Sequence, residues 1–176
     1  YFDGTEFTPE GRLSAIREHP FWRKYLFPKS KVMFPDGFSQ RPDPSTHYIV
    51  GLSPHGVLSA CHWFANTCEL TSIFGPNRRS LGGSVIFKIP FYRAIMLAGG
   101  IVDASRENTE QLLEQGKTVV ILPGGISEQV RTQYNKQSIY ITKRKGMFKF
   151  ALQYDLPIVP LYSMNEVSLL HTYDYL

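Results

Sequence analysis

The chain has 176 residues and a mass of 20.1 kDa. That suits one domain, since hydrophobic cores split only beyond roughly 250 residues. Hydrophobic residues make up 43% and charged residues 19%, which supports a packed core and excludes a disordered chain. The net charge of +4 favours anionic partners such as phosphate groups, nucleic acid or an anionic lipid surface. Two cysteines, Cys61 and Cys68, are too few for a disulfide framework and point to a reduced, intracellular setting.

In chain order, the first predicted element is a helix. Thr8 caps it, Pro9 suits its first position, and Glu10 favours the positive end of the dipole. Leu13 and Ile16 form one face, and Pro20 stops it. Phe21 to Leu26 then carries Trp22, Tyr25 and Leu26 at helical spacing. Residues 35–46 are rich in Pro, Asp, Gly and Ser and read as a surface loop. A boundary near Thr46 therefore separates a helical extension, residues 1–45, from a core at residues 46–176 within a single domain.

From His47 the pattern becomes that of buried strands. Tyr48-Ile49-Val50-Gly51-Leu52 is apolar without alternation, as in a strand covered on both faces. Ser53-Pro54-His55-Gly56 reads as a turn and Val57 to Leu70 as a helix. Ser80 to Phe87 is predicted as a strand, and Pro90 to Leu97 as a helix stopped by Gly99-Gly100. Ile101 to Ala104 is a short strand, and Ser105 caps a helix over Arg106 to Gln115. Thr118 to Leu122 is a strand ended by Pro123-Gly124-Gly125, and Ser138 to Thr142 a further strand. Gly146 to Tyr154 is an amphipathic helix, and Pro157 to Tyr162 the last strand. Strands alternating with helices predict an α/β domain, with a mainly parallel sheet and helices on both faces. The longest stretch free of Asp, Glu, Lys and Arg, Pro44 to Cys68, holds three histidines, a further proline and two glycines, so it is not a spanning helix.

Sites in open α/β sheets gather at the carboxyl ends of strands, and three candidate turns lie there. In the first, His55 is ionisable near neutral pH and Gly56 allows close backbone approach. A histidine that only caps the next helix is the structural alternative. In the second, Gly124 and Gly125 precede a helix start, where N–H groups can hold an oxyanion or a phosphate, or merely form a tight turn. Glu128, nearby, can orient His55, act as a second acid or base, or lie on the surface. The third is basic: Arg131, Lys136, Lys143, Arg144, Lys145 and Lys149 occur with no acid among them. Lys143-Arg144-Lys145-Gly146 precedes a helix start, either as an anion site or as a solvated charge run. Arg106, just after the cap Ser105, is another anion candidate.

Other chemistries fail on residues. Gly51-Leu52-Ser53-Pro54-His55 lacks the closing glycine of a nucleophile elbow. No phosphate-binding or dinucleotide-binding glycine motif occurs, and no nucleic-acid module. His55, Cys61, His62 and Cys68 do not have zinc-site spacing, so no metal is expected.

Five blocks resemble the type-2 diacylglycerol acyltransferases, a family that includes monoacylglycerol acyltransferases. Tyr48 to Gly56 is similar to its strand followed by His-Pro-His-Gly, with Ser53 in place of the first histidine. Gly99-Gly100-Ile101 through Ser105-Arg106 is similar to the next block, and Gly124-Gly125-Ile126-Ser127-Glu128 to Gly-Gly-x-x-Glu. Arg144 to Ala151 resembles the Arg-Lys-Gly-Phe block, and Val159 to Ser163 the Val-Pro segment. Tyr25-Leu26-Phe27-Pro28 is a looser match to an early Tyr-Phe-Pro element. Met164-Asn165-Glu166 stands where the family has Phe-Gly-Glu.

The resemblance implies an acyltransferase-like fold and the central part of a longer enzyme. It implies transfer of a fatty acyl group from acyl-CoA to a hydroxyl of diacylglycerol. The acceptor alternatives are a monoacylglycerol or a long-chain alcohol giving a wax ester, and the non-enzymatic alternative is a lipid-binding homologue. The implied place is the endoplasmic reticulum membrane or lipid droplet surface, on the cytoplasmic face. His55 would be the general base and Glu128 its partner, with Gly56, Gly124 and Gly125 as oxyanion or turn residues. Arg106, Arg144 and Lys145 would bind the phosphates of CoA. No metal, bound cofactor or nucleic acid is expected.

Overall fold

The structure, a computed structural model, describes residues 19–37, 41–64 and 68–172. The helix predicted from Thr8 lies outside them. Among the described residues, five strands form one sheet: β1 (Ile49–Ser53), β2 (Arg78–Gly82), β3 (Ile101–Asp103), β4 (Thr118–Ile121) and β5 (Ile158–Tyr162). Their order is β3-β2-β4-β1-β5, and every pairing is parallel. The helices are α1 (Ala60–Phe64), α2 (Cys68–Phe74), α3 (Pro90–Ala98), α4 (Arg106–Glu114), α5 (Gly125–Gln129) and α6 (Gly146–Gln153).

Residue alternation along β1 and β4 sorts the core into two faces. Tyr48, Val50, Leu52, Val120 and Leu122 pack with Cys61, Leu70 and Phe74 of α1 and α2. Ile49, Val119, Leu81 and Val102 pack instead with Leu112 and Leu113 of α4 and Met147 and Ala151 of α6. Phe87, Met96, Leu97 and Ile101 make a third cluster around α3. All five residues of β1 are buried, which is why its sequence does not alternate.

The chain runs from β1 toward β3, then returns through β4 to β5, so the helices change face. β1 and β4 are neighbours whose onward connections cover opposite faces. Their carboxyl ends therefore bound the crevice at the switch point of the sheet.

Some predicted elements change. The helix expected over Val57 to Leu70 begins only at Ala60, because Gly56 and Ser59 both have left-handed backbone, with φ of +63° and +53°. The strand expected at Ser80 begins two residues earlier, at Arg78, and gives way to a 3₁₀ turn at Ser84–Lys88. Ser138 to Thr142 is not a strand: the Tyr140 N–H donates to a carboxylate of Glu128 rather than to a ladder. Trp22–Leu26 closes as a π-turn and stacks Trp22 on Trp63 of α1, with ring centroids 6.1 Å apart.

Candidate active site

β1 delivers its chain into the crevice at Pro54-His55-Gly56, where His55 is half-buried. The Nδ1 of His55 lies 2.9 Å from the carbonyl oxygen of Gly56. A carbonyl only accepts, so this bond places the imidazole proton on Nδ1 and leaves a lone pair on Nε2. The hydroxyl of Ser59 is 2.8 Å from Nδ1 and 3.4 Å from Nε2. Standing near both nitrogens, it braces the side of the ring rather than lining up with one of them.

Glu128, on the short helix after β4, is buried with 3% exposure. One carboxylate oxygen accepts the main-chain N–H of His55 at 2.5 Å, and the other accepts that of Tyr140 at 2.7 Å. Glu128 therefore reaches His55 through the main chain, and the tautomer is set by the Gly56 carbonyl. Gly124 makes room for this. A Cβ there would stand 2.1 Å from Oε2 of Glu128 and 2.5 Å from its Cβ. The next residue of the helix, Gln129, donates its side-chain N–H to the carbonyl of Val57 at 2.7 Å.

A second carboxylate grips the same loop from the other side. Glu166 follows β5, the other neighbour of β1, and is 4% exposed. Its two oxygens accept the N–H groups of Ala60 and Cys61, each at 2.8 Å, which caps α1 across 106 residues of chain. Gly56 is shaped by this contact. A Cβ there would stand 2.6 Å from Cγ of Glu166, besides the strain at its positive φ. From the sequence, Glu166 stands only at the end of Met164-Asn165-Glu166, in the place of the family's Phe-Gly-Glu, with no site role assigned to it. Asn165 before it has left-handed backbone (φ +67°).

The remaining candidates divide. Gly125 donates its N–H to the carbonyl of Leu122 at 3.1 Å and has φ +52°, so its part is the turn. Arg144 donates to the hydroxyl of Ser127, next to Glu128, and its guanidinium lies 5.7 Å from the Tyr140 ring centroid. Lys145 is exposed at the N-terminal end of α6. Arg144 thus stands on the Glu128 side of the crevice, and Lys145 follows it in the chain. Arg106 does not join them: its side chain is 72% exposed and pairs with Glu110 at 2.8 Å on its own helix. Its further electrostatic neighbours are Glu107 and Tyr154, and Tyr154 caps the far end of the helix that Lys145 begins.

Burial shapes the titration around the loop. Burial, then the nearby His55, holds the His62 imidazole down to about 3, so His62 stays neutral. Burial pushes the Cys61 thiol well up, with the Glu166 carboxylate adding to it. Burial also raises the Glu166 carboxyl, against the N–H groups of Cys61 and Ala60, which favour its ionised form. Among the described residues, no three His, Cys, Asp or Glu side chains gather as metal ligands would. No helix among them is long and apolar enough to cross a membrane.

The family model described as diacylglycerol acyltransferase matches residues 20–175. The chain belongs to the diacylglycerol acyltransferase family. It is 27% identical over 183 residues to diacylglycerol O-acyltransferase 2B of Umbelopsis ramanniana, covering 99% of this chain and 51% of that protein. It is 33% identical over 132 residues to diacylglycerol O-acyltransferase 2 of Danio rerio, covering 70% of this chain and 36% of that one. For the Homo sapiens enzyme of the same name the identity is 29% over 168 residues, with 89% and 42% covered. The chain thus spans about half or less of the length of these relatives. No solved structure matches. The matched residues, 20–175, include His55, Gly124 and Glu128.

Proposed function

We propose that this chain carries the catalytic centre of an acyl-CoA-dependent O-acyltransferase that makes triacylglycerol from diacylglycerol. An alcohol becomes a competent nucleophile when a base takes its proton. Nε2 of His55 is that base, and the observation that carries the reading is the Gly56 carbonyl on Nδ1, which keeps the Nε2 lone pair available. The diacylglycerol oxygen attacks the thioester carbonyl as its proton passes to Nε2. The tetrahedral oxyanion then collapses, the carbon–sulfur bond breaks, and the imidazolium returns the proton to the CoA thiolate. Glu128 holds the main chain of His55 in place for both transfers. Arg144, beside Ser127 on the Glu128 side of the crevice, and the adjacent Lys145 bind phosphates of CoA. The mechanism includes no metal and no bound cofactor.

The acceptor and donor are an acylglycerol and acyl-CoA, met at a membrane surface. The site of action is the cytoplasmic face of the endoplasmic reticulum or a lipid droplet. The experiment is to supply the whole protein with labelled acyl-CoA and diacylglycerol in vesicles. Labelled triacylglycerol, lost in His55→Ala, is expected. Transfer only to monoacylglycerol or to a long-chain alcohol would move the chain to a sibling reaction. Lipid binding without transfer would make it a non-catalytic homologue.

A further inference from the structure

The loop that carries His55 is gripped at both ends, and the two grips come from the strands on either side of β1. From β4, Glu128 holds the N–H of His55; from β5, Glu166 holds those of Ala60 and Cys61. Between the grips lie both groups that touch the imidazole, the Gly56 carbonyl and the Ser59 hydroxyl. Both residues hold left-handed backbone, with φ of +63° and +53°, a conformation a non-glycine residue such as Ser59 keeps only when its surroundings impose it.

We propose that Glu166 is a positioning residue for acyl transfer, fixing through Ala60 and Cys61 the end of the loop that sets where Nε2 of His55 stands. This rests on His55 as the base and deepens that reading. Ser59 directly precedes Ala60, so the Glu166 carboxylate locks the backbone from which the Ser59 hydroxyl braces the ring. Beyond β5, the Ser163 N–H donates to the Ser53 carbonyl at 2.7 Å, tying the segment that carries Glu166 to the root of the same loop. The Val167 carbonyl accepts the N–H of Asn135 at 3.3 Å, which anchors it on the other side. A carboxylate meets two N–H donors with two acceptors. An amide has one, and its NH₂ would face the second donor.

The test compares Glu166→Gln, Glu166→Asp and His55→Ala in the whole protein, reading kcat and the KM for acyl-CoA separately. Misplacing a catalytic group by about 1 Å costs on the order of 10²-fold. Glu166→Gln should therefore lower kcat by roughly that factor, while the KM for acyl-CoA stays within about twofold. Glu166→Asp keeps both acceptors on a shorter stem and should recover part of the loss. Wild-type kcat in folded Glu166→Gln, with His55→Ala inactive, overturns the proposal and leaves His55 as the base. Full activity in His55→Ala overturns the reading on which it rests, and the proposal with it. If Glu166→Gln does not fold, Glu166→Asp decides: a lowered kcat at unchanged KM supports the proposal, and wild-type kcat overturns it.

Discussion

The carboxylate of Glu128 accepts the main-chain N–H of His55 at 2.5 Å, although 73 residues separate the two in the chain. β1 and β4 lie side by side and parallel, so the residues that leave their carboxyl ends meet. The bond leaves the imidazole to the Gly56 carbonyl and spends the carboxylate on holding backbone. Two N–H groups thus converge on one buried carboxylate, and N–H bonds to a carboxylate are stronger than those between neutral groups.

Gly124→Ala should test that close approach. The added methyl would stand 2.1 Å from Oε2 of Glu128, so the carboxylate must leave His55 and Tyr140. The expected result is a fall in kcat of about 10²-fold from the misplaced loop, with a stability loss of about 1–3 kcal/mol from unpaired buried groups. Gly125→Ala is the contrast. Nothing lies within 4 Å of its Cβ position, so it should cost only about 1–2 kcal/mol for its positive φ and keep most activity. Equal kcat losses in both variants would show that the Glu128 contact is not what Gly124 protects.

The cations should separate in the same way. Arg144 and Lys145 replaced together by Gln should raise the KM for acyl-CoA more than they lower kcat, because phosphate contacts remote from the thioester bind substrate and transition state alike. Arg106→Gln should leave that KM unchanged, since Arg106 is engaged by Glu110 and largely solvated. Steady-state titration of acyl-CoA with the three proteins checks both halves. A raised KM in Arg106→Gln alone would put the CoA phosphates at α4.

How far the sequence reveals this site depends on the range of each interaction. β1 and the Gly124-Gly125 turn are legible because burial on both faces and helix starts leave local patterns. The role of Glu166 is not, because its partners are backbone N–H groups about a hundred residues away, and a capping bond to a distant helix leaves no periodicity. Tyr140 misleads for a related reason. Its stretch has strand-like composition, but its N–H is taken by Glu128. Arg78 and Arg79 hide the start of β2, since charge argues against burial. Yet both are fully buried, with the Arg78 guanidinium donating to Thr71 and to the Gly75 carbonyl.

His62 gives the molecule a dependence on acid. Its folded-state value is held to about 3, against 6.5 ordinarily, chiefly by burial. Below pH 6.5 the unfolded chain takes up a proton at this residue that the folded chain refuses. Stability should therefore fall as pH drops from about 6.5 toward 3, by up to about 1.4 kcal/mol per pH unit from this group. Denaturant unfolding at pH 7, 6, 5 and 4 should show a shallower decline in His62→Leu than in the wild type. Parallel declines would mean that His62 is protonated in the folded state.

The most direct measurement is the single-turnover rate of acyl transfer in His55→Ala, Glu128→Gln and the double variant, with folding checked by circular dichroism. His55→Ala keeps the main-chain N–H that Glu128 holds and removes only the imidazole, so the rate should fall by about 10²–10⁴-fold. Glu128→Gln should also fall steeply, because one of its two N–H partners loses its acceptor. The double variant should be little slower than His55→Ala alone, since without the imidazole there is nothing left to position. Near-wild-type turnover in folded His55→Ala would contradict the account, and losses that multiply would separate Glu128 from His55.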